Sequence, residues 1–377
     1  MSRFFDLVSK PAREMEGYAP STAPRQAAPE HPRIIKLDSN ENPFGPSPLA
    51  IQAMRPALAA SHSYPDDDCG DLRHRLSEFH TVPVEQVLVT AGSTALLSLL
   101  CQTLLAPGLN AVTSERSFVV YAMAVQAAGA QLIEAPMRHD PMGHDEDGFD
   151  LDAILNAIDE NTRIVFLANP NNPTGTMCDA AGVDQFLAAV PAHVVVVLDE
   201  AYYEFAAHFA ALRKVEYSKS IEYLRRGASV VVLRTFSKAH GLAGLRVGYG
   251  LGPAELLGYC ARMRNTFSVS SVAQAAAAAA LNDHGHIERA VLNNTAQAQI
   301  VGVGLSELGF RVVPTWANFF YCDVAQDAEE YAARLRNERV SVRPLGLWGA
   351  PTCLRVSIGS PEQNQTFLSA ARRLASQ

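Results

Sequence analysis

The run Ala228-Ser-Val-Val-Val-Leu-Arg-Thr-Phe-Ser-Lys238, continued by Ala239-His-Gly-Leu-Ala-Gly-Leu-Arg-Val-Gly-Tyr249, sets the fold class of this 377-residue chain. A short, almost unbroken Val/Leu stretch suits a strand buried on both faces, and such strands belong to parallel sheets covered by helices on either side. The pattern repeats upstream. Apolar runs at Gln86–Thr90, Gln131–Ala135, Arg163–Ala168, Val194–Leu198, Ser229–Leu233 and Val247–Gly250 alternate with amphipathic segments such as Thr94–Leu105 and Asp150–Ile158. The reading is an α/β unit with a mostly parallel sheet and crossover helices.

Beyond Gly252 the pattern changes. Helical stretches at Ala254–Arg264 and from Ser271 to about Leu308 lead into strands at Phe310–Val313, Phe319–Asp323 and Leu354–Ile358, with helices at Ala328–Glu338 and Pro361–Ala375. This predicts a smaller α+β domain over 253–377 beside a large domain over 37–252. Residues 1–36, rich in Pro and Ala, read as an extended arm that packs on the smaller domain.

Composition narrows the function. At this length one core rarely suffices, and 48% hydrophobic residues can fill two. A net charge of -8 without a basic cluster argues against a nucleic-acid surface, leaving small molecules as partners. Cys69, Cys101, Cys178, Cys260, Cys322 and Cys353 show no paired spacing and read as reduced, mostly buried thiols of a cytoplasmic protein. The N-terminal apolar run breaks at Asp6 and Lys10, and Ala273–Leu281 is too short to span a bilayer, so no membrane is expected. His139-Asp-Pro-Met-Gly-His-Asp-Glu-Asp147 reads as a solvated loop rather than a metal site.

The chemistry-bearing residues follow the predicted strands, where open sheets of this kind bind ligands. A lysine amine can condense with an aldehyde, while Thr235, Ser237 and Arg246 supply donors for a phosphate; together they point to pyridoxal phosphate. Alone, the segment could also be a surface lysine beside a Gly-rich turn. Asp199, at the end of a buried strand, needs a cationic partner, and a protonated pyridine nitrogen is one; a helix N-cap is the other use for it. Asn172, in the tight loop Asn169-Pro-Asn-Asn-Pro-Thr-Gly175, and Tyr202 could bind the phenolic oxygen of the ring. Ser93 and Thr94 open a helix whose amides can hold an anion, or simply cap it. Phe118 could stack on the ring, and Arg355, on the face opposite Leu354 and Val356, could grip a carboxylate, with Arg343 at the other end of a substrate.

Asn40-Glu-Asn-Pro-Phe-Gly-Pro46, Tyr64-Pro-Asp66, Asn169–Gly175, Asp199-Glu-Ala-Tyr-Tyr-Glu-Phe205, Thr235-Phe-Ser-Lys238, Gly241–Tyr249 and Leu354-Arg-Val-Ser-Ile-Gly359, in that order, resemble the class II aminotransferases of fold type I, most closely the histidinol-phosphate aminotransferase group. The resemblance implies a seven-stranded sheet and a homodimer with active sites at the subunit interface. It implies pyridoxal phosphate attached to Lys238, Asp199 on the pyridine nitrogen, and Asn172 and Tyr202 on the ring hydroxyl. Ser93, Thr94, Thr235, Ser237 and Arg246 would hold the phosphate, with Tyr64 reaching in from the neighbouring subunit. Arg355 would bind the substrate carboxylate, Asn42 would line the pocket with its loop, and Tyr18 and Arg343 would meet the substrate phosphate. The expected reaction is transamination from histidinol phosphate or an aromatic amino acid to a 2-oxo acid such as 2-oxoglutarate. The alternative on the same scaffold is a decarboxylase of the threonine-phosphate type. Two departures are visible: Arg116-Ser-Phe118 stands where Pro-Thr-Tyr is usual, and Asn293–Gly302 lacks the common Glu-Arg pattern.

Overall fold

Seven strands form the central sheet, in the spatial order Val87–Thr90, Gly248–Leu251, Val230–Thr235, Val195–Asp199, Thr162–Ala168, Asn110–Ser114, Gln131–Ala135. Gly248–Leu251 pairs antiparallel with both neighbours, and every other pairing in the sheet is parallel. The parallel strands therefore all end on one edge, and Ser93, Thr94, Asn172, Tyr202, Ser237 and Lys238 follow those ends. The computed structural model describes residues 4–5, 7–15, 34–138 and 147–375.

Five of the six apolar runs read from the sequence overlap strands to within two residues at each end, and Gln131–Ala135 matches residue for residue. Asn110–Ser114 supplies the seventh strand, which periodicity missed. Its sequence, Asn-Ala-Val-Thr-Ser, is more than half polar, yet every residue is buried. Hydrogen bonds make that tolerable: Asn110 Oδ1 accepts from Thr162 Oγ1 at 2.7 Å, and Thr113 Oγ1 donates to the Phe166 carbonyl at 3.0 Å.

The smaller unit holds a four-stranded antiparallel sheet ordered Arg343–Leu345, Ala350–Ser357, Phe319–Asp323, Arg311–Val312, with its own core around Phe320, Tyr331, Leu335, Val356 and Phe367. The end of the arm joins it, because Ile35–Lys36 pairs in parallel with Val340–Ser341 and Leu37 enters that core. The start of the arm behaves differently: Lys10–Glu14 is a five-residue helix lying against Val120–Ala127 of the large unit.

The helices Ala254–Arg262 and Ser271–Ala280, which the sequence reading assigned to the second domain, send Leu257, Cys260, Ala273, Ala276, Ala277 and Ala280 into the core of the large sheet. Ala273, Ala276, Ala277 and Ala280 recur at helical spacing with no exposure, so one face of small side chains lets this helix lie close on Pro48–Ala59. The long segment expected from Ser271 breaks at Leu281-Asn-Asp283, where Asp283 caps a new helix, His284–Glu307, by accepting from the His286 amide. All six cysteines are free, five of them buried. Among the described residues no helix is long and apolar enough to cross a membrane, and no group of His, Cys, Asp and Glu could hold a metal.

Candidate active site

A cavity of about 270 Å³ opens at the carboxyl edge of the sheet, between the two units. Its lining includes Ser93, Thr94, Phe118, Asn172, Asp199, Tyr202, Thr235, Ser237, Lys238, Arg246, Arg343 and Arg355, twelve residues singled out from the sequence.

One end is built for an anion. The helix Ser93–Leu104 has Gly92 at its N-cap with no side-chain cap, so the hydroxyls of Ser93 and Thr94 are not spent on capping, and both residues line the cavity at the helix start. A Cβ on Gly92, whose φ is +85°, would meet Arg246 Nη2 at 2.6 Å; glycine there lets the guanidinium lie against the helix start. Arg246 Nη1 donates to the Ala243 carbonyl at 3.0 Å and to Ser237 Oγ at 3.4 Å, while Thr235 Oγ1 donates to Ser237 Oγ at 3.0 Å. A helix dipole, four hydroxyls and a guanidinium at one end of the cavity have the chemistry of a phosphate cradle.

The other end carries the reactive groups. Lys238 Nζ donates to the Ser39 carbonyl at 3.2 Å. Burial, with the cationic Arg355 and Arg246 added and Glu41 opposing, pulls its pKa down to about 7, which leaves much of the amine neutral and nucleophilic at physiological pH. Asp199 ends its strand with its carboxylate in the cavity, and burial pushes its pKa up to about 6 against the Tyr121 hydroxyl and the Ala201 amide, which pull it down. Asp199 does not cap the next helix: Tyr203–Arg213 has Tyr202 at its N-cap. Both ends of a pyridoxal phosphate thus have partners of the right charge at the right elements.

Arg355 is buried, donating to Asn172 Oδ1 at 2.7 Å and to the Asp38 carbonyl at 2.7 Å. Its register partner on the neighbouring strand is Arg343. Two like charges directly opposed on a sheet repel unless an anion sits between them or near them. Phe118 lines the cavity and packs edge-on against Tyr121, with ring centroids 5.7 Å apart.

Two predicted residues, Asn42 and Tyr64, are not in the cavity wall. Asn42 turns away, donating to the Ala239 carbonyl at 2.8 Å. Tyr64 is 82% exposed and stacks on Phe267 at 4.6 Å. Tyr18 lies outside the described residues, as do residues 139–146 of the acidic loop. The last residue of that loop, Asp147, is not solvated as the sequence suggested: it is buried and accepts from Arg116 Nη1 at 2.6 Å and Arg311 Nη1 at 2.9 Å.

Sequence reasoning gave no role to Tyr121, whose hydroxyl donates to Asp199 Oδ2 at 2.9 Å, nor to Asn40 individually, whose amide donates to Tyr202 Oη at 3.0 Å. It also passed over Trp348, whose Nε1 donates to the Ser117 carbonyl at 3.0 Å. Each of these contacts joins residues 78 or more positions apart, so no local pattern announces them.

Comparisons with known proteins agree with this geometry. The family model for aminotransferase class I and II matches residues 32–370. The chain is 44% identical to histidinol-phosphate aminotransferase 2 of Pseudomonas aeruginosa over 98% of both chains. It is 40% identical to histidinol-phosphate aminotransferase of Moorella thermoacetica, over 90% of this chain and 85% of that one. The structure of histidinol-phosphate aminotransferase from Sinorhizobium meliloti in complex with pyridoxal-5'-phosphate superposes with a TM-score of 0.83 at 28% identity, covering 91% of this chain and 92% of that one. The chain belongs to the class I and II aminotransferases, with pyridoxal phosphate as its cofactor.

Proposed function

We propose that this aminotransferase takes its amino group from histidinol phosphate and passes it to a 2-oxo acid such as 2-oxoglutarate, as a cytoplasmic homodimer serving histidine biosynthesis. The observation that carries the substrate reading is the Arg343–Arg355 pair, opposed in register within the cavity that holds Lys238. A donor bearing a phosphate and an acceptor bearing two carboxylates must use the same cavity in turn, and both need cations for their anionic groups. Relatives named histidinol-phosphate aminotransferase, matched along nearly the whole chain, support the same choice of donor. Tyr64, exposed on one chain, is the residue expected to complete the site of a second copy.

In this reading Lys238 Nζ would hold the cofactor covalently, Asp199 would pair with its ring nitrogen, and Asn172 and Tyr202 would meet its phenolic oxygen. Ser93, Thr94, Thr235, Ser237 and Arg246 would bind its phosphate, and Phe118 would lie against its ring. When bound, the group acts as an electron sink for charge that develops at the substrate carbon. Arg355 would fix a carboxylate of the 2-oxo acid and Arg343 the phosphate of histidinol phosphate, which has no carboxylate of its own, and these contacts would orient the reacting carbon toward Lys238. Lys238 Nζ, as a free amine, would be the group that takes up and gives back the proton at that carbon. An amine held near pH 7 suits both directions of that transfer.

The test is a donor panel in single half-reactions, followed by the absorbance of the bound cofactor, with borohydride reduction and peptide mapping of Lys238. Histidinol phosphate should react far faster than phenylalanine or tyrosine, and the second half should require a 2-oxo acid. Carbon dioxide release without an acceptor, or an aromatic amino acid as the fastest donor, would reject this assignment.

A further inference from the structure

Asp199 is faced from several elements. The helix Val120–Ala127 presents Tyr121, the turn after its own strand presents the Ala201 amide and Tyr202, and the segment after Val230–Thr235 presents Lys238. Glu200, next in the chain, is engaged elsewhere, accepting from Arg234 Nη2 at 2.6 Å. Tyr121 has no exposure and lies flat on Phe166, with ring centroids 4.6 Å apart and planes 7° from parallel. Its hydroxyl donates to Asp199 Oδ2 at 2.9 Å, and the Ala201 amide makes a longer bond, 3.3 Å, to Oδ1.

A phenylalanine would fill this apolar seat as well as tyrosine does, so the hydroxyl is there for its polar contact. Its one hydrogen goes to the carboxylate. We infer that Tyr121 is a positioning residue for transamination, whose hydroxyl fixes Asp199 and keeps its carboxylate ionised against the ring nitrogen of the cofactor. This rests on the cofactor-site reading above. In a dry site a carboxylate and a pyridine nitrogen share one proton, either as an ion pair or as two neutral groups. A hydroxyl donating to the carboxylate solvates its charge and favours the ion pair, the form in which the ring withdraws electrons best. The Tyr121 hydroxyl can only be a donor there, since burial and the Asp199 charge hold its own pKa well above the usual phenol range.

Tyr121→Phe in the holoenzyme keeps the stacked ring and removes the donor. Cooperative melting and a borohydride-reducible adduct at Lys238 should survive. The half-reaction rate should fall about tenfold or more, the expected effect of losing a hydrogen bond to a charged group. The deuterium isotope effect on removal of the substrate proton should grow, and the pH titration of the bound cofactor's absorbance should shift, with little change in donor affinity. Tyr121→His, which retains a donor, should recover part of the rate. In an Asp199→Asn background, Tyr121→Phe should cost almost nothing more. The inference is overturned if Tyr121→Phe leaves rate and titration within about twofold of wild type, a change too small to be a lost hydrogen bond to a charge. It is equally overturned if the His and Phe variants behave alike, if the effects in the two backgrounds simply add, or if the variant loses cooperative melting, since the hydroxyl would then serve the fold. A wild-type protein without a reducible adduct at Lys238 would count against the cofactor-site reading itself.

Discussion

Gly241 sits three residues after Lys238 at φ +73°, and a Cβ placed on it would lie 2.0 Å from the Gly45 carbonyl oxygen, 2.8 Å from its carbon and 3.0 Å from Pro46 Cα. All three are backbone atoms, so no rotamer change relieves the clash. Gly241→Ala must push the Asn40–Ser47 loop away from the lysine loop, breaking the bonds from Asn42 Nδ2 to the Ala239 carbonyl (2.8 Å) and from the Ser47 amide to the His240 carbonyl (3.2 Å). Two net hydrogen bonds at about 1 kcal/mol each, plus about 1 kcal/mol for a left-handed alanine, give a destabilisation of about 3 kcal/mol. The same shift moves Ser39 and Asn40, which hold Lys238 Nζ and Tyr202 Oη, so cofactor affinity should fall with stability. Gly244→Ala, in the same loop, is the control: its added Cβ meets no atom within 4 Å. Chemical denaturation and cofactor titration of the two variants decide the matter. If Gly241→Ala unfolds within about 0.5 kcal/mol of wild type, the size of an ordinary surface change, and binds cofactor as well, the claim that these loops are locked together is wrong.

Arg234→Met should destabilise by about 3–5 kcal/mol in denaturant melts, because Glu200, 2.6 Å from Arg234 Nη2 and almost fully buried, is left as an uncompensated charge; Arg234→Met with Glu200→Leu should recover part of the loss. Lys238 captures aldehydes as the neutral amine, so the rate at which cofactor-free protein takes up pyridoxal phosphate in stopped flow should rise with pH and level off above about 7. Arg355→Met removes a positive neighbour of that amine, which raises its pKa and should move the midpoint upward. Trp348 donates to the Ser117 carbonyl while its ring lies 5.5 Å from the Arg343 guanidinium, so Trp348→Phe should raise KM for the donor roughly threefold to tenfold, the worth of one hydrogen bond, and leave kcat nearly unchanged in steady-state assays.

Much of the candidate site was legible because its residues sit at fixed offsets from strands that announce themselves. The strand Val230–Thr235 opens with Val-Val-Val-Leu, and Ser237, Lys238 and Arg246 follow it before the next strand. Asp199 and Tyr202 relate in the same way to Val195–Asp199, and Asn172 to Thr162–Ala168. Asn110–Ser114 escaped notice because its burial depends on hydrogen bonds from Thr162 and to Phe166 rather than on apolar side chains. The two alanine-bearing helices after Pro253 were assigned to the wrong neighbour for a related reason: a sequence shows that a helix has an apolar face but not which core that face meets.

The chain's own order of residues therefore determined the sheet type and the placing of the candidate lysine, the acid at the strand end and the candidate hydroxyls, since each follows from local pattern and short spacing. Only the tertiary structure decided that Tyr121 reaches Asp199, that Asn40 reaches Tyr202, and that Arg343 faces Arg355 across two strands. The physical reason is that such contacts are fixed by strand register and by how helices pack on the sheet. Both are collective results of burying the whole core, and neither is written in any short stretch of sequence.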